Sequence, residues 1–150
     1  MTAVMAVLAA VVSSAERQVS VGAGYVCAIQ AGGVAACYGD NRYGKANAST
    51  VGVGVRYHAV TVGTDFSCGL TLTGSNLVCW GALPGTPPPP LTTFFIDAHA
   101  GTRHVCGLMP NGTVVCYGDG TTGATAVPPG VAFQGVTAGV DYTCGVTRAH

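Results

Sequence analysis

Val62-Gly63-Thr64-Asp65-Phe66-Ser67-Cys68-Gly69-Leu70 lies near the middle of the chain, and its spacing returns at three other places. When Cys27, Cys68, Cys106 and Cys144 are aligned, a glycine stands five residues earlier each time: Gly22, Gly63, Gly101 and Gly139. A ring stands two residues earlier (Tyr25, Phe66, His104, Tyr142), and an aliphatic side chain two residues later (Ile29, Leu70, Leu108, Val146). Eleven residues before the cysteine the last three copies carry Tyr57, Phe95 and Phe133, whereas the first departs with Glu16. A second cysteine follows in Cys37-Tyr38-Gly39, Cys79-Trp80-Gly81 and Cys116-Tyr117-Gly118. The cysteine-to-cysteine period is 41, 38 and 38 residues. Agreement across so many independent columns identifies an internal repeat.

Within one unit, Val60-Thr61-Val62 reads as a first strand ending at Gly63, Phe66 to Leu70 as a second, and Leu77 to Trp80 as a third. Thr73-Gly74, Pro110-Asn111-Gly112 and Ala31-Gly32-Gly33 occupy the midpoints between paired cysteines, where a hairpin needs a tight turn. Folding each hairpin about that midpoint sets Cys27 opposite Cys37, Cys68 opposite Cys79, and Cys106 opposite Cys116. Opposed Cα atoms lie about 4.5 to 5.5 Å apart, within the reach of a disulfide, so three bridges of near-neighbour connectivity are expected. The partner of Cys144 would fall about ten residues further on, past His150, which makes it a cysteine unpaired by truncation.

Alternation sends Tyr25, Cys27 and Ile29 to one face of the sheet and Val26 and Ala28 to the other. Both faces are apolar, as in a sheet covered on each side by a neighbour. The recurring glycines after the first strand suit a place where backbones crowd, near a central axis. The period fits one propeller blade of about four short strands. The expected fold is therefore all-β, a partial β-propeller of about three blades plus the start of a fourth, with a disulfide-linked hairpin in each. Its units run roughly over 16–55, 56–94, 95–132 and 133–150, and an open arc is expected in place of a closed ring.

Composition points the same way. Of 150 residues only 8% are charged while 49% are hydrophobic, and Gly supplies 23 positions, a mixture that favours short strands and tight turns over disorder. Net charge is zero and the six Lys and Arg are scattered, so no basic patch for nucleic acid is visible. Residues 1–15 read as a signal peptide: Thr2 to Val12 is apolar, Ser13-Ser14-Ala15 offers small residues for cleavage, and the run is too short to span a bilayer. The basic leader of such peptides is missing, which leaves open a truncated start whose first segment is a remnant strand.

The stretches Val21-Gly22-Ala23-Gly24-Tyr25-Val26-Cys27-Ala28-Ile29 and Cys37-Tyr38-Gly39-Asp40-Asn41-Arg42-Tyr43-Gly44 resemble the regulator-of-chromosome-condensation repeat superfamily. Cys79-Trp80-Gly81 and Ala100-Gly101-Thr102-Arg103-His104-Val105-Cys106-Gly107-Leu108 match as well, and the resemblance covers residues 19 to 147. The paired cysteines look most like its extracellular branch, which includes crinkly-type ectodomains of plant receptor-like kinases and secreted repeat proteins of bacteria and algae. The resemblance implies a β-propeller, commonly seven-bladed, used for protein or ligand recognition. The nucleotide-exchange and chromatin-binding activity of nuclear members is not carried over, because paired cysteines suit an oxidising compartment.

Other chemistry finds little support in the residues. Zinc sites space two cysteines by two to four residues, whereas nine or ten intervene here. His104 sits in the ring column, where packing explains it. A His99–His104 pair could reach a metal, but Asp97 is the only carboxylate near in sequence, so no metal site is expected there. Asp40, Asp65, Asp119 and Asp141 recur at matching places, which points to turns and not to a catalytic pair. No nucleophile triad or phosphate loop is present, so neither enzymatic activity nor a cofactor is expected. Asn47-Ala48-Ser49 and Asn111-Gly112-Thr113 are candidate glycosylation sequons, with Asn111 at a hairpin tip. Pro84-Gly85-Thr86-Pro87 through Pro90 reads as a stiff spacer between units.

The expected function is a non-enzymatic extracellular recognition scaffold, part of a secreted propeller or receptor ectodomain. Its partner would be a protein or peptide rather than nucleic acid, and it would meet a membrane only through a domain absent from this chain. The loops 40–56, 82–94 and 119–132 differ most between units and would carry specificity. The competing reading is an intracellular guanine-nucleotide exchange factor or ubiquitin-pathway adaptor built on the same repeat, which requires reduced cysteines.

Overall fold

The β-branched and aromatic runs form strands wherever glycine-rich turns release them. In the computed structural model, which describes residues 19–51, 54–86 and 91–148, eleven strands are arranged in four successive sheets. The first sheet holds β1 (Val19–Val21), β2 (Tyr25–Gln30) and β3 (Val34–Gly39); the second holds β4 (Tyr57–Val62), β5 (Phe66–Thr71) and β6 (Leu77–Gly81). The third holds β7 (Asp97–Ala100), β8 (His104–Leu108) and β9 (Val114–Gly118), and the fourth pairs β10 (Phe133–Ala138) with β11 (Thr143–Thr147). All pairings are antiparallel meanders, and the register sets Cys27 opposite Cys37, Cys68 opposite Cys79, and Cys106 opposite Cys116. The candidate signal segment 1–15 lies outside the described residues.

Among the described residues the first three blades have three strands each, against the four expected. The reason lies just after the Cys-aromatic-Gly signature. Gly39, Gly81 and Gly118 adopt φ of 118°, 87° and 114°, a region that L side chains avoid, and this turns the chain out of the sheet. A Cβ there would stand 2.5–2.6 Å from the carbonyl oxygens of Gly24, Asp65 and Arg103, so only glycine fits. The chain then leaves for the next blade. A single bridge between Thr86 and Gly118, in which the outgoing segment of the second unit touches the edge of the third, is what the described residues keep of a fourth strand. The fourth sheet, as expected for the start of a blade, has two strands among the described residues, and Cys144 on β11 is free and exposed.

The core lies between sheets. Tyr25, Cys27 and Ile29 pack against Tyr57, Val60, Val62 and Trp80 of the second blade. Phe66, Cys68, Leu70 and Leu77 meet Phe95, Ala98 and Val105 of the third, and Cys106, Leu108 and Val114 meet Phe133 and Val136 of the fourth. Each blade thus hides one face only when its neighbour is present, as in repeat architectures. A main-chain tie repeats at every junction: the carbonyls of Gly33, Ser75 and Gly112 accept from the N–H groups of Tyr57, Phe95 and Phe133 at 2.7, 3.0 and 2.8 Å.

The residue after the first cysteine answers the aromatic column. It is glycine in the three units that carry Tyr57, Phe95 or Phe133, and a Cβ on Gly69, Gly107 or Gly145 would come within 2.4–2.5 Å of those rings. In the first unit, where Glu16 replaces the aromatic residue, the same position is Ala28.

Candidate functional site

Three disulfides brace the blades. Cys27–Cys37, Cys68–Cys79 and Cys106–Cys116 close with S–S lengths of 2.00–2.04 Å and Cα separations of 4.0 Å. Each joins the second strand of its blade to the third, and Cys27, Cys68 and Cys106 are fully buried beneath the next blade.

The glycine column forms an inner rim. Gly22, Gly63, Gly101 and Gly139 each donate a main-chain hydrogen bond to the carbonyl of the ring residue three positions on, at 2.8–2.9 Å. A Cβ on Gly63 would meet the Phe66 ring at 2.2 Å, and one on Gly101 would meet the Gly139 carbonyl at 2.2 Å. These glycines, with their neighbours Val21, Val62, Ala100 and Ala138, line a shared groove of about 310 Å³ to which all four blades contribute. Its described lining carries no ionisable side chain, and adjacent blades are laced there by Thr64 N–H to Thr102 O (3.1 Å) and Thr102 N–H to Gly139 O (3.2 Å).

The loops after β3 and β9 do structural work of their own. Lys45, from the loop over 40–56, is only 1% exposed and sits between the first two blades. Its ammonium donates to Thr64 O at 2.9 Å, pairs with Asp40 at 3.0 Å and Asp65 at 3.4 Å, and lies 5.0 Å from the Tyr25 ring centre. Its carbonyl accepts from Ser67 Oγ (2.7 Å) and Trp80 Nε1 (2.8 Å). In the loop over 119–132, the carbonyl of Ala124 likewise accepts from Thr143 Oγ1 at 2.8 Å. In the sequence Lys45 is one of six scattered Lys and Arg residues. The signal that could have found Lys45 is its place within reach of two aspartates of the repeated turn column, Asp40 and Asp65.

Asp40 and Asp119 cap turns, accepting from the N–H groups of Arg42 (3.0 Å) and Thr121 (2.9 Å). Arg42, and then Lys45, hold the Asp40 carboxyl well below the usual carboxylate range. Burial pushes the Tyr25 phenol up to about 12. The histidines find different partners: His99 Nε2 lies 3.2 Å from Asp97, and His58 Nε2 lies 3.1 Å from Ser75. Asn47 and Asn111 are both exposed, the latter with its side-chain oxygen accepting from Thr113 N–H at 2.9 Å. Among the described residues no group of three or more His, Cys, Asp or Glu could hold a metal ion, and no helix is long and apolar enough to cross a membrane.

His104 is buried, and burial lowers its pKa. Because Thr143 donates to Ala124 O, the neutral imidazole donates its Nε2–H to Thr143 at 2.9 Å. The unfolded chain takes up a proton near the ordinary value of about 6.5, whereas the folded chain resists it, so the unfolded state binds more protons just below that pH. His104 therefore costs stability as pH falls through about 6.5. His99 has the opposite sign: Asp97 raises its pKa, and its contribution fades as pH rises through that raised value. Replacing His104 by Tyr, the residue of the first unit, is expected to raise Tm relative to wild type more at pH 5 than at pH 7. An equal difference at both pH values would remove His104 from the account.

Successive three-stranded sheets, buried at each junction and pinned at an inner glycine rim, define a partial β-propeller of regulator-of-chromosome-condensation-like repeats in a cysteine-paired form. Solved structures share this architecture. The entire ectodomain of the Physcomitrella patens receptor kinase CR4 aligns at 30% identity with a TM-score of 0.74, covering 87% of this chain and 38% of that one. The CRINKLY WD40 ectodomain of the Arabidopsis thaliana receptor kinase ACR4 aligns at 24% identity with a TM-score of 0.72, covering 91% and 47%. Prp20p from Saccharomyces cerevisiae shares the fold at 17% identity, with a TM-score of 0.69 and coverage of 88% and 44%. This chain thus spans less than half the length of each. No protein-family profile matches it.

Proposed function

We propose that this chain is part of a non-enzymatic, extracellular recognition propeller. The observation that carries the reading is the division of labour in the fold. Cysteine pairs and buried rings fix the blades, while large apolar side chains stand exposed on the connections between them: Tyr43 in the first, and Leu91, Phe94 and Ile96 before the third blade. Rigid scaffolds that present exposed aromatic and aliphatic anchors on loops are suited to protein or peptide partners. Three disulfides favour an oxidising compartment, and the receptor-kinase ectodomains with this fold support the same placement.

Prp20p binds Gsp1p and histones, so the fold also serves protein partners of another kind. Mass mapping of the protein from its native source, alkylated without reduction, separates the two settings. The expected result is three bridged peptides, Cys27–Cys37, Cys68–Cys79 and Cys106–Cys116, with a glycan on exposed Asn111 if the source is eukaryotic. Six free thiols at those positions would overturn the extracellular reading and favour an intracellular adaptor or exchange factor.

A further inference from the structure

Lys45 has a counterpart in the next unit that lacks a side chain. Lys45 lies against the following blade at Gly81, where an added Cβ would stand 3.0 Å from the lysine Cα. In the connection after β6, the residue set against the following blade is Gly85. A Cβ on Gly85 would stand 2.3 Å from the carbonyl oxygen of Gly118, the residue that matches Gly81 in the third blade. Thr86 fixes this placement by exchanging main-chain hydrogen bonds with Gly118 at 3.2 and 3.0 Å. A glycine thus stands at the second junction where a lysine stands at the first.

The room that the lysine side chain fills at the first junction is open at the second. It is a cleft of about 290 Å³ between the second and third blades, lined by Thr64, Asp65, Ala82, Pro84, Thr102 and Arg103. Counted from the cysteines, Ala82 and Arg103 replace Asp40 and Asp65, the two carboxylates that hold Lys45. Both acceptors of an ammonium are gone, and a guanidinium takes the place of one. The third junction keeps both acidic columns, as Asp119 and Asp141, so the exchange of sign is confined to one place. Arg103 pairs with Asp119 at 2.8 Å but is 61% exposed, which leaves N–H donors for a second carboxylate. Asp65 reaches the cleft from the opposite blade. Lys45 lies 3.4 Å from its Oδ1, and the group is 42% exposed, so it has capacity to accept a further N–H.

We propose that this cleft receives an Asp or Glu side chain from a loop of a protein partner, with its carboxylate on Arg103 and an adjoining main-chain N–H on Asp65. The arrangement is the Lys45 plug with its charge reversed, supplied by another molecule. It rests on the protein-recognition reading above and names the partner's chemistry; the compartment does not enter it.

Nuclear magnetic resonance titration of the oxidised, isotope-labelled full chain tests it with three probes: N-acetyl-Gly-Glu-Gly-amide, the same peptide with Gln, and sodium acetate. The Glu peptide is expected to shift the amide signals of Thr64, Ala82, Thr102 and Arg103 saturably. Its affinity should exceed that of the Gln peptide and of acetate about tenfold. Arg103→Gln should remove that advantage. Ala82→Asp, at an exposed position, should do the same by restoring a carboxylate beside the guanidinium. Equal binding of the Glu and Gln peptides, acetate matching the Glu peptide, undiminished affinity in Ala82→Asp, or no saturable shift at the cleft would overturn the proposal. Each of those results leaves the recognition scaffold itself standing, since its disulfide map is measured independently.

Discussion

Reduction of the three disulfides is expected to abolish the cooperative unfolding transition of this chain. Each bridge closes a loop between cysteines 10 or 11 positions apart. By the chain-entropy estimate a loop of that size contributes about 3 kcal/mol. Three such contributions are comparable to the whole stability of an ordinary domain, about 5–15 kcal/mol. The fold has few other reserves, since each core cluster is shared between two thin sheets. Thermal melts followed by circular dichroism, with and without a strong reductant, check this. A sigmoidal transition within a few degrees of the oxidised protein's would show that inter-blade packing suffices without the bridges.

Substitution of Lys45 by Met is expected to be the costliest change at a single charged residue, about 3 kcal/mol. The methionine stem can still fill the space beside Tyr25, so the loss isolates the ammonium. Without it, the Thr64 carbonyl and two carboxylates lose a shared partner between the first two blades. Asp65→Asn should cost much less, because Asp65 is substantially exposed and water replaces its partner. Denaturant titration of the two variants gives the ranking. If Lys45→Met costs almost nothing, the lysine is acting through its carbons and not its charge, and if Asp65→Asn destabilises as much as Lys45→Met, the Asp65 carboxylate carries the interaction.

The repeat and its disulfide pairing were legible because both follow from local periodicity. Glycine, ring and cysteine columns at fixed spacing determine strand, turn and register without long-range information. Packing on both sheet faces could also be read, from Val26 and Ala28 alternating with Tyr25, Cys27 and Ile29. That the described residues of these blades form three strands and not four was not legible. Period alone does not show that Gly39, Gly81 and Gly118 take positive φ and send the chain across to the next sheet. The buried role of Lys45 depends on the same crossing. Lysine is almost never found fully buried, and in the loop 40–56 only Asp40 marks it until Asp65 arrives from the following blade. Ser67 and Thr143 were visible as residues but not as partners, since their contacts lie 39 to 42 positions away along the chain.

The cross-linked hairpins also govern how this protein would respond to being pulled. In each of the first three blades, the segment between the two cysteines is shunted by a covalent bond, so tension passes through the sulfurs and leaves the intervening turn slack. Nine or ten residues per blade are withheld in this way, roughly 30 Å of extension each at full stretch. Only the first strands and the inter-blade connections can lengthen, and the main-chain bonds at the inner rim would yield in turn, blade by blade. An oxidised chain under load would lengthen in short, bounded steps, and a reduced one would run out to its full contour.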